Sequence, residues 1–225
     1  VATDGCTTLA SPFDYGEQAL LYVARHLPPP REKAFMDEAI AEIRLLLDAS
    51  RGRAFVLFTS FQNLRATKRA FEGNLPYPLL VHGDAPRSEL LERFRETPGA
   101  VLLGTSSFWE GVDVMGEQLS CVIVDKLPFA VPGDPLVSAR IDLVASTGGN
   151  GFADYQVPMT ILSLKQGLGR LIRSKTDRGV VAILDSRVAN KGYGKRFLSS
   201  LPPYRLTYDR RDVTSFFEAP RAPGA

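Results

Sequence analysis

The residues best suited to chemistry lie in Gln166-Gly167-Leu168-Gly169-Arg170-Leu171-Ile172-Arg173, within a segment of helical periodicity that begins near Met159. At about 100° per residue, a helix puts Gln166, Arg170 and Arg173 on one face and Ile161, Leu164, Leu168 and Ile172 roughly opposite. The apolar face can dock on a sheet, which leaves two guanidiniums and an amide facing outward. Gly167 and Gly169 let a ligand or a second surface come close. The chemistry expected of such a set is the clamping of phosphate. Each glycine inside a helix costs about 0.8–1 kcal/mol relative to Ala, which makes a merely solvated basic face the weaker explanation.

A second set is Gly104-Thr105-Ser106-Ser107-Phe108-Trp109-Glu110-Gly111-Val112-Asp113, directly after an apolar run. Small hydroxyl residues at the carboxyl end of a strand stand where open α/β sheets bind ligands. Backbone N–H groups and hydroxyls there suit phosphate oxygens, Asp113 can accept from a sugar hydroxyl, and Glu110 can orient a cation. Trp109, a lone Trp beside a loop, is more often core than a stacking platform. A third set, Phe58-Thr59-Ser60-Phe61-Gln62-Asn63, joins a strand to a helix, so Thr59 or Ser60 is an N-cap with free backbone donors behind it.

Other candidates have plainer readings. Asp84, after His82-Gly83, reads as a helix cap, while His82 and His26 each lack a second histidine for a metal or catalytic pair. Asp125-Lys126 and Asp185-Ser186-Arg187 close two strands at the edge where ligands bind, and Asp125 can simply pair with Lys126. The glycines of Gly148-Gly149-Asn150-Gly151 fit neither GxGxxG nor GxxxxGK(S/T), and no other stretch does. A self-sufficient nucleotide hydrolase and a Rossmann-type small-molecule enzyme are both disfavoured.

The elements that position these residues follow from the apolar pattern. Buried strands are expected at AFVLFTS from Ala54, PLLVHG from Pro78, AVLLGTS from Ala100, LSCVIVDKL from Leu119 and GVVAILD from Gly179. Between them Phe61, Leu64 and Phe71, then Leu90, Leu91 and Phe94, then Leu136, Ile141 and Val144 recur at helical spacing. An earlier helix from about Asp37 to Ser50 carries Ile40, Ile43, Leu46 and Leu47 on one face and ends at Arg51-Gly52, after a stiff Pro28-Pro29-Pro30 spacer. Strand and helix alternate, so the fold is α/β, with a mostly parallel central sheet and helices on both faces.

Composition narrows the function classes. With 225 residues, 44% of them hydrophobic, the chain is long enough for a sizeable core, which excludes wholesale disorder. No apolar run approaches a membrane span, and VATDGCTTLA has no secretory pattern. Cys6 and Cys121 are too few for a disulfide framework or a four-thiolate metal site, which fits a reducing cytoplasm. The net charge of +2 argues nothing about nucleic acid. The 27 basic residues are 20 Arg and 7 Lys, a bias suited to phosphate recognition and equally to a GC-rich genome. The residues before Ser11 read as the middle of a longer chain, and the Pro- and Ala-rich end from Ala219 as a frayed terminus.

Taken together, VLFTS, GTSSFWEGVDV with VIVDKLPF, and QGLGRLIR with GVVAILDSR resemble, in order and spacing, the later motifs of the DinG and XPD-like family of superfamily 2 DNA helicases. The resemblance runs from about Ser11-Pro12-Phe13 to Leu201-Pro202, and DKLPF leans toward the bacterial YoaA-like branch. It implies a RecA-like second motor domain over residues 11–209, with 1–10 an extension from an upstream part and 210–225 a partly disordered tail. ATP with Mg2+ would bind between two motor domains, with the phosphate loop, the magnesium box and any iron–sulfur cluster in the preceding one.

By the same resemblance Arg170 and Arg173 reach the γ-phosphate as arginine fingers, with Gln166 beside them. Glu110, Gly111, Asp113 and Gly169 line the nucleotide, and Thr59, Ser60, Thr105 and Ser106 hold the phosphates of single-stranded DNA. Such binding is sequence-independent and salt-sensitive. Similar helicases move 5′ to 3′ and act in DNA repair and replication. The expected partners are single-stranded DNA and the preceding motor domain, with the chain itself monomeric. The alternative class is a non-catalytic module that holds single-stranded nucleic acid or a partner protein, since half of the ATP site would lie outside this chain.

Overall fold

In the computed structural model residues 11–105, 108, 116–131, 133–169 and 171–220 are described. Seven strands among them, β1 (Ala19–Val23), β2 (Ala54–Leu57), β3 (Leu79–Val81), β4 (Val101–Gly104), β5 (Cys121–Val124), β6 (Gly179–Ile183) and β7 (Arg205–Thr207), form one sheet. The order is β3-β4-β2-β5-β6-β1-β7, and every pairing is parallel. The five apolar runs expected as strands are β2 to β6. The sheet adds β1 as an interior strand between β6 and β7, and the short β7 as an edge strand with Arg205 and Leu206 exposed.

Parallel strands need crossovers, and the helices that supply them cover both faces. They are α1 (Tyr15–Gln18), α2 (Phe35–Ser50), α3 (Phe61–Phe71), α4 (Arg87–Glu96), α5 (Pro135–Ser146), α6 (Val157–Leu168), α7 (Arg187–Asn190), α8 (Gly194–Ser200) and α9 (Arg210–Glu218). Side chains alternate along each strand, so the sheet feeds two cores. Leu21, Phe55, Val122 and Ile183 face one, closed by Phe94 of α4, Leu164 and Leu168 of α6 and Phe197 of α8. Leu20, Tyr22, Val56 and Ile123 face the other, closed by Ile43 and Leu46 of α2, Phe71 of α3 and Phe216 of α9. This is the RecA-like α/β arrangement anticipated above.

Several expectations change. The tail expected from residue 210 begins as helix α9, capped by Asp209 and buried through Val213 and Phe216. The Pro28-Pro29-Pro30 segment turns, with the Glu32 N–H donating to the Pro29 carbonyl. Helix α6 ends at Leu168 with Gly169 as its C-cap, so Arg173 is not on that helix. Helix α5 has no buried residue despite its apolar pattern, and Leu136 and Leu143 are 63% and 64% exposed. A π-helical turn, Gly151–Gln156, links α5 to α6. Among the described residues no helix is long and apolar enough to cross a membrane.

Candidate nucleotide and nucleic-acid site

The loops after β3, β4, β2 and β5 emerge side by side at the carboxyl edge of the sheet because those strands are neighbours. Asp125, first after β5, is completely buried. Its Oδ1 accepts from the Thr59 N–H at 3.0 Å and the Lys126 N–H at 2.8 Å, and its Oδ2 accepts from Asn63 Nδ2 at 2.7 Å. Asp125 thus meets Lys126 through the backbone, not as the side-chain pair expected from sequence. Burial pushes the Asp125 carboxyl up to about 6, opposed by the Asn63 amide, the Lys126 charge and the two N–H donors.

Ser60 is the N-cap of α3, its Oγ accepting from the Asn63 N–H at 3.3 Å. Thr59 Oγ1 is buried without a hydrogen-bond partner among the described residues. The first N–H groups of a helix lack partners within it, the ordinary makings of an anion site, and here the Ser60 cap takes up that of Asn63. Phe61, expected on the apolar face of α3, is instead 45% exposed beside them.

Thr105, expected as a phosphate ligand, turns its hydroxyl inward. It is buried, and its Oγ1 lies 2.7 Å from His82 Nδ1, so its hydroxyl backs the edge from inside. The His82 ring contacts Phe61 and Phe108, at 5.0 Å and 4.9 Å between centroids, and burial with the nearby Arg87 charge lowers its pKa. Asp84 is not a helix cap: it pairs with Lys68 at 2.8 Å, and α4 starts after Pro86. Asp185, also completely buried, accepts from the Leu127 N–H at 2.9 Å and from Arg187 Nη2 at 2.6 Å, so two carboxylates fix the loop that follows β5.

Arg173 stands at the opposite edge. Gln166 is exposed on the last turn of α6, and Gly169 has an ordinary φ of −63°, where a Cβ would meet the Lys165 carbonyl oxygen at 3.0 Å. The chain then drops Leu171 and Ile172 into the core and turns through Arg173-Ser174-Lys175-Thr176-Asp177 to reach β6. Asp177 Oδ2 accepts from the Arg173 and Ser174 N–H groups at 2.7 and 2.8 Å. Buried Gln18, just before β1, donates Nε2 to the Ser174 and Asp177 carbonyls, both at 2.8 Å. Partial burial lowers the Arg173 pKa while Asp177 raises it. The half-buried guanidinium therefore sits on a stapled loop.

At about 3.3 Å per residue, strands of this length separate the two edges by roughly 15 Å. Thr105 follows β4 at the carboxyl edge, whereas Ser120, whose N–H donates to the Arg53 carbonyl ahead of β2, stands at the other. Ser106, Trp109, Glu110, Gly111, Asp113 and Arg170 lie outside the described residues. The structure thus brings Thr59, Ser60 and Thr105 to one edge and places Gln166, on the last turn of α6, and Arg173, on the loop beyond it, away from them. Sequence reasoning missed Asn63, Asp177 and Gln18 as supports. Their partners are up to 159 residues away, and only the polarity of a residue flanking a strand hints at them.

Among the described residues no three His, Cys, Asp or Glu side chains gather as a metal site. A family model for the helicase C-terminal domain matches residues 43–204, from within α2 to the residue before β7. The chain is 43% identical over 212 residues to the ATP-dependent DNA helicase YoaA of Escherichia coli (strain K12), covering 94% of this chain and 33% of YoaA. It is 45% identical over 206 residues to the ATP-dependent helicase DinG of Mycobacterium tuberculosis (strain ATCC 25618 / H37Rv), covering 91% and 31%. It therefore spans about one third of the length of these curated relatives. The solved structure of S. tokodaii Xpd4 shares the fold at a TM-score of 0.64 and 17% identity, over 86% of this chain and 39% of that one. With its motifs, its parallel sheet and these matches in agreement, the chain belongs to the helicase C-terminal domain family, of the kind found in the DinG and YoaA helicases.

Proposed function

We propose that the chain is the second motor domain of an ATP-dependent DNA helicase, working with a preceding motor domain that holds ATP and Mg2+. The observation that supports this most is the two-ended layout. Thr59, Ser60 and the first turn of α3 stand at one edge of the sheet, and Arg173, on a loop stapled by Asp177, stands at the other.

Bound ATP supplies the γ-phosphoryl group whose transfer to water releases the energy used. Arg173, with Arg170, meets the charge that develops on that group. A guanidinium already partly dehydrated, on a loop whose backbone Asp177 holds, interacts more strongly with such charge than one free in water. Gln166, Gly169, Glu110, Gly111 and Asp113 complete the nucleotide side.

At the carboxyl edge Thr59 and Ser60, with Ser106, hold the phosphates of single-stranded DNA without reading bases, while Thr105 and His82 support them from behind. Closure of the cleft between motor domains on ATP then moves one grip relative to the other, in the 5′ to 3′ sense of similar helicases, in DNA repair and replication. Any iron–sulfur cluster belongs to the preceding part.

ATP hydrolysis by the helicase carrying this chain, with and without single-stranded DNA, tests the reading. Arg173→Ala and Arg170→Ala are each expected to lower DNA-stimulated turnover by about 10³ or more, while oligonucleotide affinity stays within about twofold, the range expected for a group that touches no DNA phosphate. Unchanged turnover would sink the finger assignment. Absence of ATP turnover in the unmutated protein would replace the motor with a non-catalytic nucleic-acid module.

A further inference from the structure

Asp125 is a completely buried carboxylate with no ion-pair partner among the described residues, and three donors converge on it. Two come from the loop and helix that carry the open anion-binding end of α3: the Thr59 N–H and the Asn63 amide. A side chain that only filled space between β5 and α3 would be apolar, because burying a carboxylate is costly unless its hydrogen bonds are put to use. Here they fix the backbone of Thr59 and, through Asn63, the first turn of α3. The same Asn63 donates its N–H to the Ser60 cap, so one network sets the shape of the whole loop. Thr59 Oγ1 remains buried and unpartnered among the described residues, next to the backbone that Asp125 holds.

We propose that Asp125 is a positioning residue for the single-stranded DNA contact at Thr59 and Ser60, holding their loop in its phosphate-binding shape from beneath while touching no nucleotide. The inference rests on the DNA reading given above and extends it to a residue of the neighbouring strand. A loop held this way loses little freedom when phosphate arrives, so the carboxylate contributes affinity through preorganisation.

Protonation of Asp125 removes acceptor capacity from this network, and its carboxyl titrates near 6. Among the described residues the groups facing it are the Thr59 N–H from the end of β2, neutral Asn63 from α3, and the N–H and charge of Lys126 on its own loop. Asp185, at the end of neighbouring β6, is turned to Leu127 and Arg187. Asp125 is ionised above about pH 6 and the loop is then held; as pH falls through that value the hold weakens.

The test is equilibrium binding of a fluorescent oligo-dT strand to the helicase carrying this chain, at constant ionic strength between pH 5 and 8. The unmutated protein is expected to lose affinity roughly tenfold, about the effect of one charge-assisted hydrogen bond, as pH falls through 6. Asp125→Asn should bind roughly tenfold more weakly at pH 8, with no step near 6. Asn63→Ala, which keeps the carboxylate, should weaken binding less and retain the step. An unmutated protein with no step, an Asp125→Asn protein that binds as tightly as the unmutated one, or one that is weak yet keeps the step overturns the proposal. If Asp125→Asn does not fold, the Asn63→Ala and unmutated profiles decide. Thr59→Ala combined with Ser60→Ala separates the two ideas. Unchanged affinity there removes the DNA contact itself, whereas weakened affinity beside a neutral Asp125→Asn removes only the positioning role.

Discussion

Cys121 opens β5 in the middle of the sheet and is completely buried. Burial pushes its thiol up to about 12, against smaller opposing effects of Ser50 and Arg53. The thiolate is the reactive form, so at pH 8 only on the order of 10⁻⁴ of it is available even before access is considered. In a Cys6→Ser background the native protein is expected to stay unlabelled by a thiol reagent at pH 8 and to react within minutes in urea. Fast native labelling would mean that β5 opens on its own. That Cys121 stands apart from any paired-cysteine motif was legible in the sequence. Its place in the sheet was legible too, because CVIV is apolar throughout. The role of Asp125 was not, because its donors, Thr59 and Asn63, lie 66 and 62 residues earlier in the chain.

Among the elements, α3 depends on one cap. Ser60→Ala should cost about 1 kcal/mol of stability, and Ser60→Gly only a few tenths, measured by urea unfolding. A loss well above 2 kcal/mol would mean that Ser60 carries more than the cap. Strands β2 to β6 could be read as apolar runs because both faces of each are buried. Strand β1, ALLYV, is as apolar as they are but follows a single turn of helix, Tyr15–Gln18, too short for periodicity to show. β7 has three residues, two of them exposed. The end of α6 was hidden because Leu171 and Ile172 continue the helical spacing after the backbone has left the helix. They are buried from a loop rather than from a turn of helix. The shared face drawn for Gln166 and Arg173 therefore does not exist, although both still lie at one edge of the sheet.

For the whole molecule, the near balance of charge leaves recognition to local features, and α5 is the part of the surface least explained by this chain's own packing. Because none of its residues is buried, Leu136→Ser with Leu143→Ser should change unfolding free energy by less than about 0.5 kcal/mol, as surface substitutions usually do. A larger loss would show that α5 is tied to the core. The position of β1 has a different kind of consequence. Ala19 is in register with Gly179, so the first strand pairs with a partner 160 residues later (179 − 19) and, on its other side, with β7 beyond that. At synthesis rates of about 5–20 residues per second, β1 waits roughly 10–30 s on the ribosome before either neighbour exists. An apolar strand with two open edges is during that time a template for wrong pairing. The domain therefore cannot be assembled strand by strand as it emerges, and its first strand must be kept unpaired until nearly the last is made.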